Sequence, residues 1–112
     1  MLVMEIVMAE ARVSLPKDII ADFCRRWNVV EFSLFGSVLR SDFGPDSDID
    51  ILVTFAPDAS WTLLDHVEMQ EESEVLLGRR VDLVSRRGIE RSRNLLRRDA
   101  ILSSSEVFYA AA

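Results

Sequence analysis

The chain has one cysteine, one histidine, one tyrosine, three prolines and four glycines in 112 residues. A single thiol, Cys24, excludes a disulfide framework within the chain and suits a reducing compartment. Its setting in IIADFCRRW reads as packing, because unpaired cysteine behaves as a small hydrophobe. No repeat or low-complexity tract interrupts the chain. The longest apolar stretch, MLVMEIVMAEARV, is broken by Glu5 and Glu10 and lacks a basic leader, so neither a membrane span nor a signal peptide is expected. A cytoplasmic, soluble protein that makes no use of a membrane is the plain reading. Basic residues are also scarce: 13 against 19 acidic ones, for a net charge of −6. Nucleic acid is therefore not expected as a direct ligand, since domains that bind it are usually basic.

What is present is globular. Apolar residues make up 49% and charged residues 29%, too many aliphatics for a disordered chain. The length suits one domain over 1–112, with a core at about 16–85 and a C-terminal helical segment at about 88–112. So small a domain has modest stability of its own, which leaves a role for a partner. The charge is divided: residues 1–75 carry a net −10 and residues 76–112 a net +4. The arginines at 79, 80, 86, 87, 91, 93, 97 and 98 suit phosphate or an acidic partner, and equally a solvated helix face. Met1, Met4 and Met8 read as apolar filling that also permits a homo-oligomer.

The local patterns alternate between helix and strand. Pro16 suits a first helical turn; Ile19, Ile20, Phe23, Cys24 and Trp27 follow at helical spacing, and Asn28 suits the left-handed residue that ends the helix. VVEFSLF (29–35) has the period of two of a strand and stops at Gly36-Ser37, with a short helical turn after it. Gly44-Pro45 breaks the chain, and DIDILVTF (48–55) is a second strand. A helix over 61–77 offers Leu64, Val67, Val75 and Leu76 on an apolar side, with Gly78 as its stop. RVDLVS (80–85) is a third strand, and IERSRNLLRRDAIL a further helix with Leu95, Leu96 and Ile101 available for burial. The order implies an α/β (α+β) fold, a small mixed β-sheet flanked by helices. The tail SSSEVFYAAA fits either docking or mobility.

Three features carry chemistry. Asp48 and Asp50, at i and i+2 of a strand, project to one side with Cα atoms about 6.5–7 Å apart. Two neighbouring carboxylates repel unless a cation compensates, and Mg²⁺ prefers oxygen donors while keeping water and phosphate in its shell. Asp82 is an acid within an apolar strand, where aspartate is disfavoured; aligned with Asp48 and Asp50 it makes a third carboxylate. Gly36-Ser37 at a strand end permits close backbone approach and offers amide and hydroxyl donors to phosphate, with Arg40 three residues on. Singly, each has a plainer explanation: D-x-D also suits an exposed turn, and Asp82 a salt bridge to Arg79 or Arg80. His66, mid-helix among acids, reads as a surface or half-buried residue.

The combination GSVLRSDFGPDSDID resembles the signature of the minimal nucleotidyltransferases, in the DNA polymerase beta-like superfamily: G-S, ten residues, D-x-D. Gly36, Ser37, Asp48 and Asp50 stand at the family spacing, Arg40 matches a common arginine, and LLGRRVDLVS supplies Asp82 as the third carboxylate. Ser41 stands where the family often has glycine. The resemblance implies a nucleotidyltransferase fold, ATP as substrate and two Mg²⁺ ions held by Asp48, Asp50 and Asp82. Asp82 also helps to activate the acceptor, and Gly36, Ser37 and Arg40 bind the nucleotide. It further implies an antitoxin paired with a HEPN-type toxin, which some relatives neutralise by transferring AMP to a tyrosine. Neutralisation by docking alone, or nucleotidylation of a small molecule, are the alternatives.

Overall fold

The computed structural model describes residues 15–40 and 43–111. Helix α1 (Lys17–Arg26) leads into strand β1 (Val29–Phe35), and a single 3-10 turn spans Gly36–Leu39. After a loop come strand β2 (Ile49–Phe55), helix α2 (Leu63–Leu77), strand β3 (Val81–Ser85), helices α3 (Arg86–Glu90) and α4 (Leu95–Ser104), and strand β4 (Glu106–Ala110). The sheet order is β3-β2-β1-β4; β2 and β3 run parallel, and the other pairs are antiparallel. The expected mixed sheet flanked by helices is what forms.

Period-two alternation divides the side chains between two apolar layers. Phe32 and Leu34 of β1, Ile49, Ile51 and Val53 of β2, and Val81 and Leu83 of β3 point into the main core with Phe23 and Cys24 of α1 and Met69 of α2. On the other face Phe35 and Leu52 meet Ile89 of α3 and Ile101 of α4 in a smaller cluster. The first helix ends as its sequence implies, with Asn28 at φ +54.

Three expectations are corrected. The segment 88–112 is not helical throughout: residues 106–110 form β4, which pairs with β1 and buries Phe108 in the main core. A strand of five residues with one buried anchor has too short a pattern to be read before its partner is known. The single helix expected beyond Gly88 is two, α3, which already starts at Arg86, and α4; Ile101 is buried while Leu95 and Leu96 are exposed. Helix α2 buries Met69 and Ser73, whereas Leu64, Val67 and Val75 face solvent. The reason is the edge of β3. His66 Nε2 lies 2.7 Å from the Leu83 carbonyl, Gln70 Oε1 accepts the Leu83 amide at 3.2 Å, and Glu74 Oε2 accepts the Val81 amide at 2.9 Å. A polar stripe at i, i+4 and i+8 thus occupies backbone groups that an edge strand leaves open. Met1, Met4 and Met8, and Ser41, lie outside the described residues.

Candidate active site

Parallel pairing of β2 with β3 sets Asp50 directly beside Asp82, so their Cα atoms are about 4.8 Å apart, the distance between neighbouring strands. Both lie on the face covered by α3 and α4, since Asp50 alternates with Leu52 and Asp82 with Val84. Asp48 stands one residue before β2. The carboxyl of Asp50 is held above its ordinary range, first by burial and then by the charges of Asp82 and Asp48; Arg40 and Arg97 pull the other way. Burial of Asp50 and the charges of its two acidic neighbours thus act in the same direction on one carboxyl, against the pull of two arginines.

The turn at Gly36 closes on the same point. Antiparallel register places Phe35 opposite Asp50, so the next residue passes over the Asp50 side chain. Gly36 has φ +74, and a Cβ there would lie 2.2 Å from Asp50 Oδ2. The left-handed backbone favours glycine, and any larger residue would also have to push the Asp50 carboxylate aside. The Arg40 amide donates to the Ser37 carbonyl at 2.9 Å and completes the turn. Arg40 itself is exposed and acts on Asp50 through its charge. The structure thus gathers Gly36, Arg40, Asp48, Asp50 and Asp82 around one end of the sheet, with Ser37 in the turn beside them.

The arginines divide the work differently from the sequence reading. Asp82 is not paired with Arg79 or Arg80; its ionic partner is Arg97 of α4, at 3.9 Å. Arg80 Nε instead meets Asp48 Oδ1 at 3.2 Å. Arg79 donates to the carbonyls of Gly44, Pro45 and Ser47 at 2.6, 3.0 and 2.9 Å and lies over the Phe43 ring. One guanidinium thereby fixes the loop that delivers Asp48. Neither role is visible in sequence, because both depend on which carbonyls and acids the fold brings within reach.

One cleft adjoins this region, and another lies at the far end of the sheet. The first, of about 390 Å³, runs from Gly36 and Arg40 to Ala100, Ile101 and Ser104 of α4. The second, of about 410 Å³, opens at the opposite end of β2 and β3 between Thr54, Trp61, His66 and Arg86. It lies away from the three acids, and the electrostatics of Asp50 make the acidic end the better candidate for chemistry. His66 serves the β3 edge as described above.

Residues 16–107 match the nucleotidyltransferase domain family. The chain belongs to it. The domain is 45% identical over 65 residues to the protein adenylyltransferase MntA of Thermococcus cleftensis, a match that covers 58% of this chain and 64% of that protein. The match thus spans just under two thirds of that relative's length. A solved structure assigned to the minimal nucleotidyltransferases is 38% identical, with a TM-score of 0.60, over 80% of this chain and 85% of that one. The fold also matches the complex of an MNT antitoxin with a tri-AMPylated HEPN toxin of Shewanella oneidensis, at 21% identity and a TM-score of 0.59, over 85% of this chain and 70% of that chain.

The donor set suits a hard cation. Adjacent carboxylates offer the oxygen donors that Mg²⁺ prefers, and no imidazole or thiolate stands with them for a softer ion. Among the described residues the acids do not already stand as a three-ligand cage. Asp48 is half-exposed and turned to Arg80. No helix among the described residues is long and apolar enough to cross a membrane.

Proposed function

We propose that the domain transfers AMP from ATP to a tyrosine hydroxyl of a HEPN-type toxin and so acts as its antitoxin. The observation that carries this is Asp50 beside Asp82, with the Gly36 turn packed onto the same carboxylate. The adenylyltransferase relative and the fold shared with an MNT antitoxin support the acceptor class. Asp48, Asp50 and Asp82 would hold the metal. Two Mg²⁺ ions would supply Lewis acidity at the α-phosphate and a more acidic acceptor hydroxyl. Gly36 and Ser37 offer amide and hydroxyl donors to the terminal phosphates, and Arg40 offsets their charge. Asp82, on the outer strand of the pair, helps to take the acceptor proton as the hydroxyl oxygen bonds the α-phosphorus and pyrophosphate departs. Residues 1–112 work as one domain in this reading, in the cytoplasm where ATP is available.

The test is incubation with labelled ATP, Mg²⁺ and a HEPN-type protein, taken from the neighbouring gene where one is found. Label is expected on a partner tyrosine, and Asp48→Ala or Asp50→Ala is expected to abolish it. No label from the wild type under these conditions would sink the proposal. Neutralisation by docking has its own support: Leu63, Leu64, Val67 and Val75 form an exposed apolar side of α2 amid glutamates. An Asp48→Ala, Asp50→Ala double variant that still neutralises the partner fully would favour it.

A further inference from the structure

Helix α4 is an unusual place for Arg97. The first turn of a helix carries a partial positive charge and favours acids, yet α4 has no acid there, and both Arg97 and Arg98 lie in it. Arg98 is offset by its neighbour Asp99, at 3.2 Å. Arg97 reaches out of its own helix to Asp82 on β3, and its charge is also felt at Asp50. The helix that carries it is fixed at its cap and along one face. The Arg97 amide donates to the Asn94 side chain that caps the helix, at 3.1 Å. Ile101, one turn on along the same face, is anchored in the smaller apolar cluster. Ala100, Ile101 and Ser104, on that same face, wall the cleft that begins at Gly36. The inner face of α4 therefore runs from the third carboxylate to the phosphate turn, and Arg97 is the cation it presents at the acidic end.

We propose that Arg97 is a phosphate-binding arginine that serves as counter-ion to Asp82 in the ligand-free protein and exchanges that partner for the nucleotide. This rests on the nucleotidyl-transfer reading above and deepens it. The guanidinium and a divalent cation compete for the same carboxylate, because both are drawn by one unit of negative charge on Asp82. With Asp82 engaged by a cation, the guanidinium would lose its partner while still beside the acids, within reach of a phosphate held there. Its planar fork suits two phosphate oxygens. At 3.9 Å the pair with Asp82 is loose enough to exchange, and Arg97 is half-exposed.

The consequence is a pair of effects of opposite sign. Arg97→Met keeps the apolar stem and removes the charge. It is expected to bind Mn²⁺ alone several-fold more tightly, read by the electron paramagnetic resonance of free Mn²⁺. It is expected to bind the non-transferable analogue α,β-methylene-ATP, in the presence of Mg²⁺, about tenfold more weakly by calorimetry, the loss of one charge-assisted contact. Arg97→Lys should fall between the two on both measurements. Thermal melting checks that each variant is folded, and the surface position of Arg97 favours that. If wild type binds both ligands and Arg97→Met leaves both affinities unchanged, or weakens both together, the inference is overturned while nucleotidyl transfer stands. If wild type binds neither Mn²⁺ nor the analogue, the nucleotidyl-transfer reading falls and this inference with it.

Discussion

Gly36 is the residue whose identity the site constrains most tightly. Alanine there meets two penalties at once, a left-handed backbone and a Cβ 2.2 Å from Asp50 Oδ2. Gly36→Ala is expected to lower stability by about 1–3 kcal/mol, seen in urea denaturation, and to abolish AMP transfer. Asp50 shows the opposite balance. Its carboxyl is raised by burial and by Asp82 and Asp48, so its favourable share of stability is full below the unfolded pKa and is lost as pH rises through the folded one. Asp50→Asn should therefore raise the melting temperature at pH 7 while ending activity, and the gain should vanish as pH falls into the carboxylate range. A gain that persists at low pH would contradict this. Cys24 is buried, and burial pushes its thiol up to about 12. A thiol reagent at pH 8 should label it slowly in the native protein and rapidly in denaturant, because the thiolate is the reactive form.

At the scale of elements, two segments do work that their composition conceals. The loop before β2 is held by Arg79 through three carbonyls. Arg79→Ala is expected to speed amide exchange over residues 44–48 and to weaken nucleotide binding, with the rest of the sheet unchanged. Loss of binding without faster exchange would assign Arg79 a direct contact instead. Helix α2 spends one polar stripe on the β3 edge, through His66, Gln70 and Glu74, and leaves Leu64 and Val75 outside. The period of apolar residues misreads such a helix, because it assumes that polar side chains face water. Here they replace a missing strand.

For the molecule as a whole, the two helices over the main core are tied by charge. Arg26 of α1 donates to Glu72 of α2, which also accepts the Trp27 indole N–H at 2.8 Å. These contacts, Arg26 first, hold the Glu72 carboxyl below its ordinary range. Its stabilisation is present above the unfolded pKa and is lost as pH falls through the folded one. Glu72→Gln should thus flatten the acid limb of a stability–pH curve and leave its alkaline side nearly unchanged. The sheet is completed only by β4, whose Phe108 joins Phe32 across the main core, ring centroids 6.1 Å apart. Chain far from the acids in sequence therefore supports the strand that leads to Gly36.

By itself the sequence determined the local periods, the breaks at Gly36 and Gly44-Pro45, and the spacing of glycine, serine and aspartates that marks the family. These are properties of neighbouring residues, and alternation along a strand or a turn residue in a left-handed conformation needs no distant partner. The tertiary structure decided what depends on register. It set Asp82 beside Asp50, gave Asp48 to Arg80 and Asp82 to Arg97, and turned the tail into a strand. A slip of one residue in the β2–β3 pairing would send Asp82 to the other face, so no count along the chain could have placed it. Charge pairing is likewise a matter of reach through space, and eight C-terminal arginines look alike until the fold sets one of them over the carboxylates.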